Sequence, residues 1–466
     1  MSKTSSHFAC QSCGASYPKW AGRCEACGNW NSLVEEASAS GPPKGLNDPK
    51  NRAKSARIDF VPLKSETDRQ IPRRFSHIGE FDRVLGGGLV SGSATLVGGD
   101  PGIGKSTILL QVVCKLAAQH KVAYISGEEA IDQVRLRAAR LGLADAPCLL
   151  ASETSVRDIV ASVDTKDAPD ILIIDSIQTM YVDTLDSAPG TVAQVRTSAQ
   201  ELIRVAKKRN ISLILVGHVT KDGTIAGPRV LEHMVDTVLY LEGDRGHQFR
   251  VLRGVKNRFG PTDEIGVFEM TDTGLLEVQN PSALFLADRR DDMSGAAVFA
   301  GLEGTRPVLV EIQALVAPAA YGTPRRAVVG WDSGRLAMIL AVLEARCGVA
   351  FGNNDVYLNV AGGFRITEPA ADLAVAAALL SSLTGEPLPA SCVAFGEIGL
   401  SGEIRHISQP DLRLKEALKL GFTQAIMPQN DKARKSGATP MLRTTEIRQL
   451  SELLPLFQAA PQAKSA

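Results

Sequence analysis

Two groups of residues carry side chains and spacings suited to chemistry. The first is GDPGIGKS, Gly99 to Ser106, which has the pattern G-x-x-x-x-G-K-[ST]. Glycines in such a loop let consecutive backbone N–H groups curl around phosphate oxygens, where a side chain would collide. A helix opening at the lysine adds its partial positive charge. Gly99, Asp100, Pro101, Gly102, Ile103, Gly104, Lys105, Ser106 and Thr107 are therefore the predicted ATP-binding run. Lys105 would reach the β- and γ-phosphates, and the Ser106 hydroxyl would ligate Mg²⁺. The second group is CQSC-x10-CEAC, with Cys10, Cys13, Cys24 and Cys27. Two such knuckles place four thiolates around a tetrahedral structural Zn²⁺. A disulfide pair or a redox motif is the alternative, but redox chemistry needs one Cys-x-x-Cys beside a βαβ unit rather than two in a short polar stretch. Trp20, Trp30 and Lys19 of this module either stack on nucleobases or pack its miniature core, and packing is the plainer expectation.

Nucleotide hydrolysis also needs a metal-orienting acid and a group to activate water. Asp175 ends the apolar run ILIID, at a strand's C-terminal edge where phosphates bind, and suits the Mg²⁺ role. A helix-capping Asp is the bland alternative. SGEEA supplies Glu128 and Glu129, and Glu128 is the favoured general base. Otherwise both acids merely favour the dipole of a following helix. His218 closes ISLILVGH and either senses the γ-phosphate or makes a structural hydrogen bond. A further cluster, KNRFGP, holds Lys256, Asn257, Arg258, Phe259 and Gly260 before a turn. Its two cations suit solvent, a DNA phosphate or a nucleotide, and six residues alone do not decide among these.

The elements that position these groups form an α/β pattern from about 71 to 280. SATLVGG, KVAYISGE, ILIIDSI and ISLILVGHV read as buried strands, with helical patterns such as STILLQVVCKLAAQH and VAQVRTSAQELIRVAKKRN between them. This alternation predicts a mostly parallel sheet covered on both faces. TVLYLEG, QFRVLRGVKN and EIGVFEM have hairpin-like spacing and are expected to extend the sheet antiparallel. A compact cysteine module occupies 8–34, and a Gly-, Pro- and Lys-rich linker occupies about 35–70. Between Gly41 and Arg74 stand nine cations against four anions, suiting a solvated linker or a polyanion-contacting arm. A second α/β block, 281–458, includes VLVEIQALVAP, RRAVVGW, VYLNVAGG and CVAFGEIGLSGEIR as strands. Its helices are LAMILAVLEARCG, PAADLAVAAALLSSLTG and DLRLKEALKLGF.

Composition bounds the reading further. The 466 residues suit about two or three domains. Lysine plus arginine equals aspartate plus glutamate, 51 each, so no global charge advertises a nucleic-acid partner, though a basic stripe is compatible with neutrality. No apolar run approaches the ~18 residues of a membrane span. The start lacks an apolar signal core, and the four scattered cysteines sit in apolar segments, so the cytoplasm is the expected compartment.

The motifs taken together, namely CxxC…CxxC, FSHIGEFDRVLGGGLVSGSATLVGGDPGIGKST, SGEEA, IIDSIQT, GHVTKDG and VKNRFGPTDEIGVFEM, closely resemble the bacterial RadA family, also called Sms, from Cys10 to about Leu456. That resemblance implies a four-cysteine zinc finger, a RecA-like ATPase core and a C-terminal domain similar to the Lon peptidase domain. It also implies a hexameric, DNA-dependent ATPase that promotes branch migration of recombination intermediates on single-stranded and branched DNA beside the RecA recombinase. KNRFGP further resembles a K-x-R segment of DnaB-like ring helicases, which implies that Lys256 and Arg258 enter a neighbouring subunit's active site. Direct DNA contact is the rival. DNA contacts are expected from loops 179–198 and 220–230, the latter with Lys221 and Arg229, and from Arg325, Arg326, Arg335 and Arg365. The Lon-like domain departs from peptidase chemistry: EPAAD places Ala370 where a nucleophilic serine would stand, with Asp411 and Arg413 nearest the lysine position, so a scaffolding role is expected. An ATP-dependent protease or protein remodeller, and a RecA-like ATP-sensing regulator, are the competing functions.

Overall fold

A computed structural model describes residues 6–10, 16–26, 28, 30, 33–37, 72–218, 229–243, 248–262, 264–286, 289–290, 292–319, 323–429 and 442–457. Cys13, Cys27, Lys221 and the linker over 38–70 lie outside the described residues, as does the side chain of Arg229. The chain divides into one unit of Met1–Glu242 with Arg250–Glu277 and another of Gly243–Phe249 with Val278–Ala466.

The first unit is built on a nine-stranded sheet. Its strands are β1 (Ala94–Gly99), β2 (Val122–Ser126), β3 (Leu149–Ser152), β4 (Ile171–Asp175), β5 (Ser212–Val216), β6 (Thr237–Glu242), β7 (Phe249–Asn257), β8 (Ile265–Thr271) and β9 (Gly274–Glu277). They lie in the order β9-β8-β7-β6-β1-β5-β4-β2-β3. β1 to β6 run parallel, as β1 with β5, β5 with β4, β4 with β2 and β2 with β3. β6 forms the expected antiparallel hairpin with β7 but joins the sheet by pairing parallel with β1, in contrast to the expectation that TVLYLEG extends it antiparallel. The physical reason is its connection: β5 reaches β6 through a long crossover that carries a helix, and such a crossover returns the chain in the same direction. From β7 onward the sheet turns antiparallel, β7 against β6 and β9 against β8.

Burial on both faces explains why these strands read as unbroken apolar runs. Ile171 and Ile173 join one core with Val97, Tyr124 and Leu239, whereas Leu172 and Ile174 join the opposite core with Leu96, Leu213 and Leu215. Helices α1 (Lys105–Ala117) and α2 (Ile131–Arg140) supply apolar residues to the first core. Helices α3 (Val156–Val163) and α4 (Val192–Arg209) cover the second, and the short α5 (Arg229–Met234) precedes β6. The N-terminal module of this unit is a three-stranded antiparallel sheet of Ser6–Cys10, Ser16–Tyr17 and Leu33–Ala37.

The second unit holds a seven-stranded sheet. Its strands are β10 (Ala296–Glu303), β11 (Arg306–Pro318), β12 (Arg326–Val329), β13 (Asn354–Val360), β14 (Cys392–Ala394), β15 (Gln424–Pro428) and β16 (Arg443–Ile447), in the order β12-β13-β11-β10-β14-β15-β16. Its helices are α6 (Ser333–Cys347), α7 (Asp372–Thr384) and α8 (Pro410–Lys419). The run CVAFGEIGLSGEIR, expected as one strand, breaks after Ala394 into β14 and a small hairpin of Glu397–Ile398 with Ile404–Arg405. Gly399 and Gly402 form its turn, Gly399 N donating to Glu403 O at 2.9 Å. Among the described residues no helix is long and apolar enough to cross a membrane.

Candidate active site at the sheet edge

Four parallel strands end together, and each end carries a polar residue. β1 leads into the phosphate loop, β2 into Glu128, β4 closes on Asp175 and β5 runs into His218. The loop is shaped by close approach and by left-handed backbone. Gly102 and Gly104 have φ of 78° and 115°. A Cβ on Gly99 would stand 2.5 Å from Leu241 O, so only glycine lets the loop leave the sheet here. Lys105, the first residue of α1, is buried and donates to Gly99 O at 2.7 Å and Asp100 O at 2.9 Å. Burial lowers its pKa, while the charges of Asp175, Glu128 and Asp100 oppose that shift. The three acids therefore stand within electrostatic reach of one ammonium. A glycine-lined cradle at a helix N-terminus, with a lysine and two carboxylates converging on it, fits a nucleoside triphosphate with Mg²⁺.

The two acids are held differently. Asp175 is buried and accepts a hydrogen bond from the Tyr124 hydroxyl, which projects from β2 into the same core face. Glu128 accepts from the Ser176 hydroxyl and, at 2.9 Å, from His218 Nε2. The His218 hydrogen bond, chiefly, pulls the Glu128 carboxyl down to about 2 against the opposing effect of burial; Ser176 and Lys105 add to it. Glu129 is instead paired with Arg137, and its backbone N donates to Ser126 Oγ at 2.9 Å. Of the SGEEA acids, only Glu128 therefore faces this cluster. Gly127 permits that placement, since a Cβ there would stand 2.1 Å from Thr179 Oγ1. His218 reaches Glu128, and its Nδ1 is buried without a partner.

KNRFG lies at the opposite end of the sheet. Thr237, at the start of β6, pairs with Asn257, whereas Leu241 pairs with Gly99 of the phosphate loop. A strand of this length spans roughly 17 Å, so Lys256 and Arg258 cannot serve their own chain's phosphate loop. Lys256 Nζ donates to Glu232 O at 2.7 Å and Val235 O at 2.8 Å, fastening the C-terminal end of α5. Burial, then the Arg258 charge, lowers its pKa. Arg258 pairs with the buried Asp236 at 3.3 Å, yet its side chain stays 57% exposed. Asn257 Oδ1 accepts from Phe259 N at 2.9 Å and shapes the turn. The turn packs on Gly86, because a Cβ on Gly260 would stand 2.9 Å from Gly86 Cα. Arg73 clamps both sides, donating to Gly86 O at 2.8 Å and Phe259 O at 2.6 Å.

Several participants escaped the sequence reading. Tyr124 and Ser176 orient the two acids. Arg250, buried in β7, donates through Nε to Ile103 O of the phosphate loop at 3.2 Å. Asp236 accepts from Ala94 N at 3.0 Å as well as from Arg258. A Tyr inside an apolar strand and an Arg inside another were the available signals, since a buried polar tip requires a partner.

The expected DNA-contacting groups fare unevenly. The 179–198 loop ends earlier than expected, because α4 starts at Val192. The buried Gln194 ties this loop to α4, donating to Val182 O, Leu185 O and Ser187 O, while Ala188, Pro189 and Gly190 are exposed. Loop 220–228 lies outside the described residues, and Arg229 opens α5. Arg335 is committed to the buried Asp372 and Arg326 to the carbonyls of Phe351 and Asn354, so neither is a loose cation. Arg325 and Arg365 are exposed. At the position of the missing nucleophile, Ala370 is buried. Arg413 is fully buried and paired with Glu368, donating also to Ala300 O at 2.8 Å, while Asp411 is exposed on the first turn of α8.

In the N-terminal module, Cys10 and Cys24, one from each knuckle, are fully buried together with Leu33. Two thiols from separate knuckles meeting in one core fit a structural zinc, for which Cys13 and Cys27 are the remaining candidates. Trp20 and Trp30 do not pack this core, contrary to the plainer expectation; they are 57% and 72% exposed.

Comparisons with known proteins agree with this layout. Residues 8–35 match the model described as a rubredoxin metal binding domain, 76–224 that of an AAA domain, and 321–431 that of subunit ChlI of Mg-chelatase. The DNA repair protein RadA of Brucella abortus is 61% identical over 92% of this chain and 92% of its own. The RadA of Bacillus subtilis is 49% identical over 92% and 93%, and that of Pseudomonas aeruginosa 48% over 97% and 100%. With its RecA-like ATPase core, zinc ribbon and Lon-like C-terminal domain, this chain belongs to the RadA family of DNA repair proteins.

Proposed function

We propose that this protein is an ATP-driven motor on single-stranded and branched DNA that promotes branch migration of recombination intermediates together with the RecA recombinase. It works in the cytoplasm as a homohexamer. One observation carries the reading: the phosphate loop with Glu128, Asp175 and His218 lies at one edge of the sheet, while the exposed Arg258 lies at the other. A ring of identical copies brings the two edges together.

In this mechanism Lys105 leaves the loop carbonyls and binds the β- and γ-phosphates. Ser106 and Asp175 would hold Mg²⁺, which would neutralise charge on the phosphates. Tyr124 fixes the Asp175 carboxylate. Glu128, ionised at neutral pH, accepts the proton of the attacking water, and the neighbour's Arg258 stabilises charge on the γ-phosphoryl group, an effect worth ~10³-fold or more. Lys256, expected beside Arg258 in the neighbour's site, is instead engaged by the Glu232 and Val235 carbonyls, where it holds the end of α5 and so keeps Arg258 in place. His218 holds the Glu128 carboxylate. The Lon-like domain scaffolds the ring and offers Arg325 and Arg365 to DNA, without peptidase activity.

Lys105→Ala is expected to reduce ATP hydrolysis to background while circular dichroism and zinc content stay unchanged. DNA-stimulated turnover at the parental rate in that variant would refute the assignment.

A further inference from the structure

The N-terminal module presents two indoles that its own core does not use. Its buried cluster is Cys10, Cys24 and Leu33, backed by Phe8, Tyr17 and Ala21. Trp20 and Trp30 instead converge on Gly22 from two sides: a Cβ there would lie 3.8 Å from Trp20 and 3.9 Å from Trp30. Both indoles therefore border the same glycine, at ordinary van der Waals distance from where a side chain there would begin. Trp30 is held opposite Arg23 by an antiparallel bridge, and the Arg23 guanidinium lies 5.8 Å from the Trp30 ring centroid. Arg23 is itself fixed, its Nε donating to Gly28 O at 2.9 Å. Lys19 is exposed beside Trp20.

We propose that Trp20 and Trp30 form a stacking platform for the unpaired bases of single-stranded nucleic acid, with Arg23 and Lys19 facing its phosphates. Flat exposed rings flanked by cations suit bases, since every base offers a π-face and every nucleotide a negative charge. A protein-docking patch would add aliphatic neighbours, whereas among the described residues of this module only the two tryptophans are large, apolar and exposed. The inference rests on the module alone and extends the motor reading by giving the track a second point of contact.

The chain has three tryptophans, and the third, Trp331, is buried and shielded from ligand, so ligand-induced changes in the fluorescence of the zinc-loaded full-length protein report chiefly on Trp20 and Trp30. Titration with oligodeoxythymidylate is expected to quench that emission, and heparin, a polyanion without bases, is expected to leave it largely intact. Trp20→Ala and Trp30→Ala should each weaken oligodeoxythymidylate binding ~5- to 100-fold at constant salt, with Trp→Phe variants losing less. Zinc content and DNA-free ATP hydrolysis should not change, which separates this test from that of Lys105. Equal quenching by heparin, or a double alanine variant whose affinity stays within twofold of the parent, overturns the proposal. Retained oligodeoxythymidylate affinity with loss of a protein partner would assign the surface to that protein instead.

Discussion

Ser176 and His218 decide the protonation of Glu128, and the sign of that effect can be worked out. A carboxyl lowered to about 2 is ionised throughout the range in which the protein works, so its titration leaves no acid limb on the rate. Its contribution to folding is likewise present above the ordinary value of 4.5 and lost as pH falls toward 2. Removing both donors, in Ser176→Ala with His218→Ala, leaves burial as the largest remaining influence and raises the carboxyl to its ordinary 4.5 or above. That variant should then lose roughly a quarter or more of its own pH 8 rate at pH 5, where the parent loses none through this group. A pH–rate profile of single turnover measures this, and identical acid limbs would remove Glu128 from the role of base. Tyr124 orients Asp175 through a hydroxyl that no titration between pH 5 and 9 removes.

At the scale of elements, KNRFG behaves as a fitted turn. Gly260 and Gly86 approach so closely that a methyl on either meets backbone, and Arg73 bolts the two turns together. Gly260→Ala is therefore expected to cost about 1–3 kcal/mol in stability by overpacking. It should lower ATP hydrolysis by about a hundredfold, because a displacement near 1 Å moves Arg258 out of register. Thermal unfolding and steady-state turnover read the two effects separately, and a variant with a lowered melting temperature but parental turnover would detach the turn from catalysis. Elements differ in how plainly the chain announces them. Buried strands such as ILIID and SLILV were legible because both faces are covered and the apolar run has no gaps. Lys105, Glu128, Asp175 and His218 were legible as the polar ends of those runs. The edge strand β3 was not, since most of its four residues are exposed and it carries no such signal. The direction of β6 and the break in CVAFGEIGLSGEIR depended on connections and turns that local pattern does not encode. Tyr124, Ser176, Arg250 and Asp236 were hidden for another reason: each is defined by a partner distant in sequence, such as Arg250 with Ile103.

For the whole molecule, the proposed ring would make activity a property of assembly, because the phosphate loop and Arg258 lie at opposite ends of the strands. Lys105→Ala and Arg258→Ala subunits, each inactive alone, are expected to recover part of the parental hydrolysis when mixed, because some seams then join an intact loop to an intact arginine. Measured against mixing ratio, recovery should peak near equal amounts. A flat baseline at every ratio would place catalysis within a single copy. A dilution series followed by light scattering should show turnover falling together with the assembled fraction.

Asp236 gives that arrangement a mechanical side. Its carboxylate grips the first amide of β1 and the Arg258 guanidinium at once, while the far end of the same strand becomes the phosphate loop. In the proposed ring, whatever tugs on the arginine in one nucleotide would be relayed, along this six-residue strand, to the loop holding the next. Successive sites around a ring would be wired in series, like links of a chain under tension, and each would sense whether the one before it has fired.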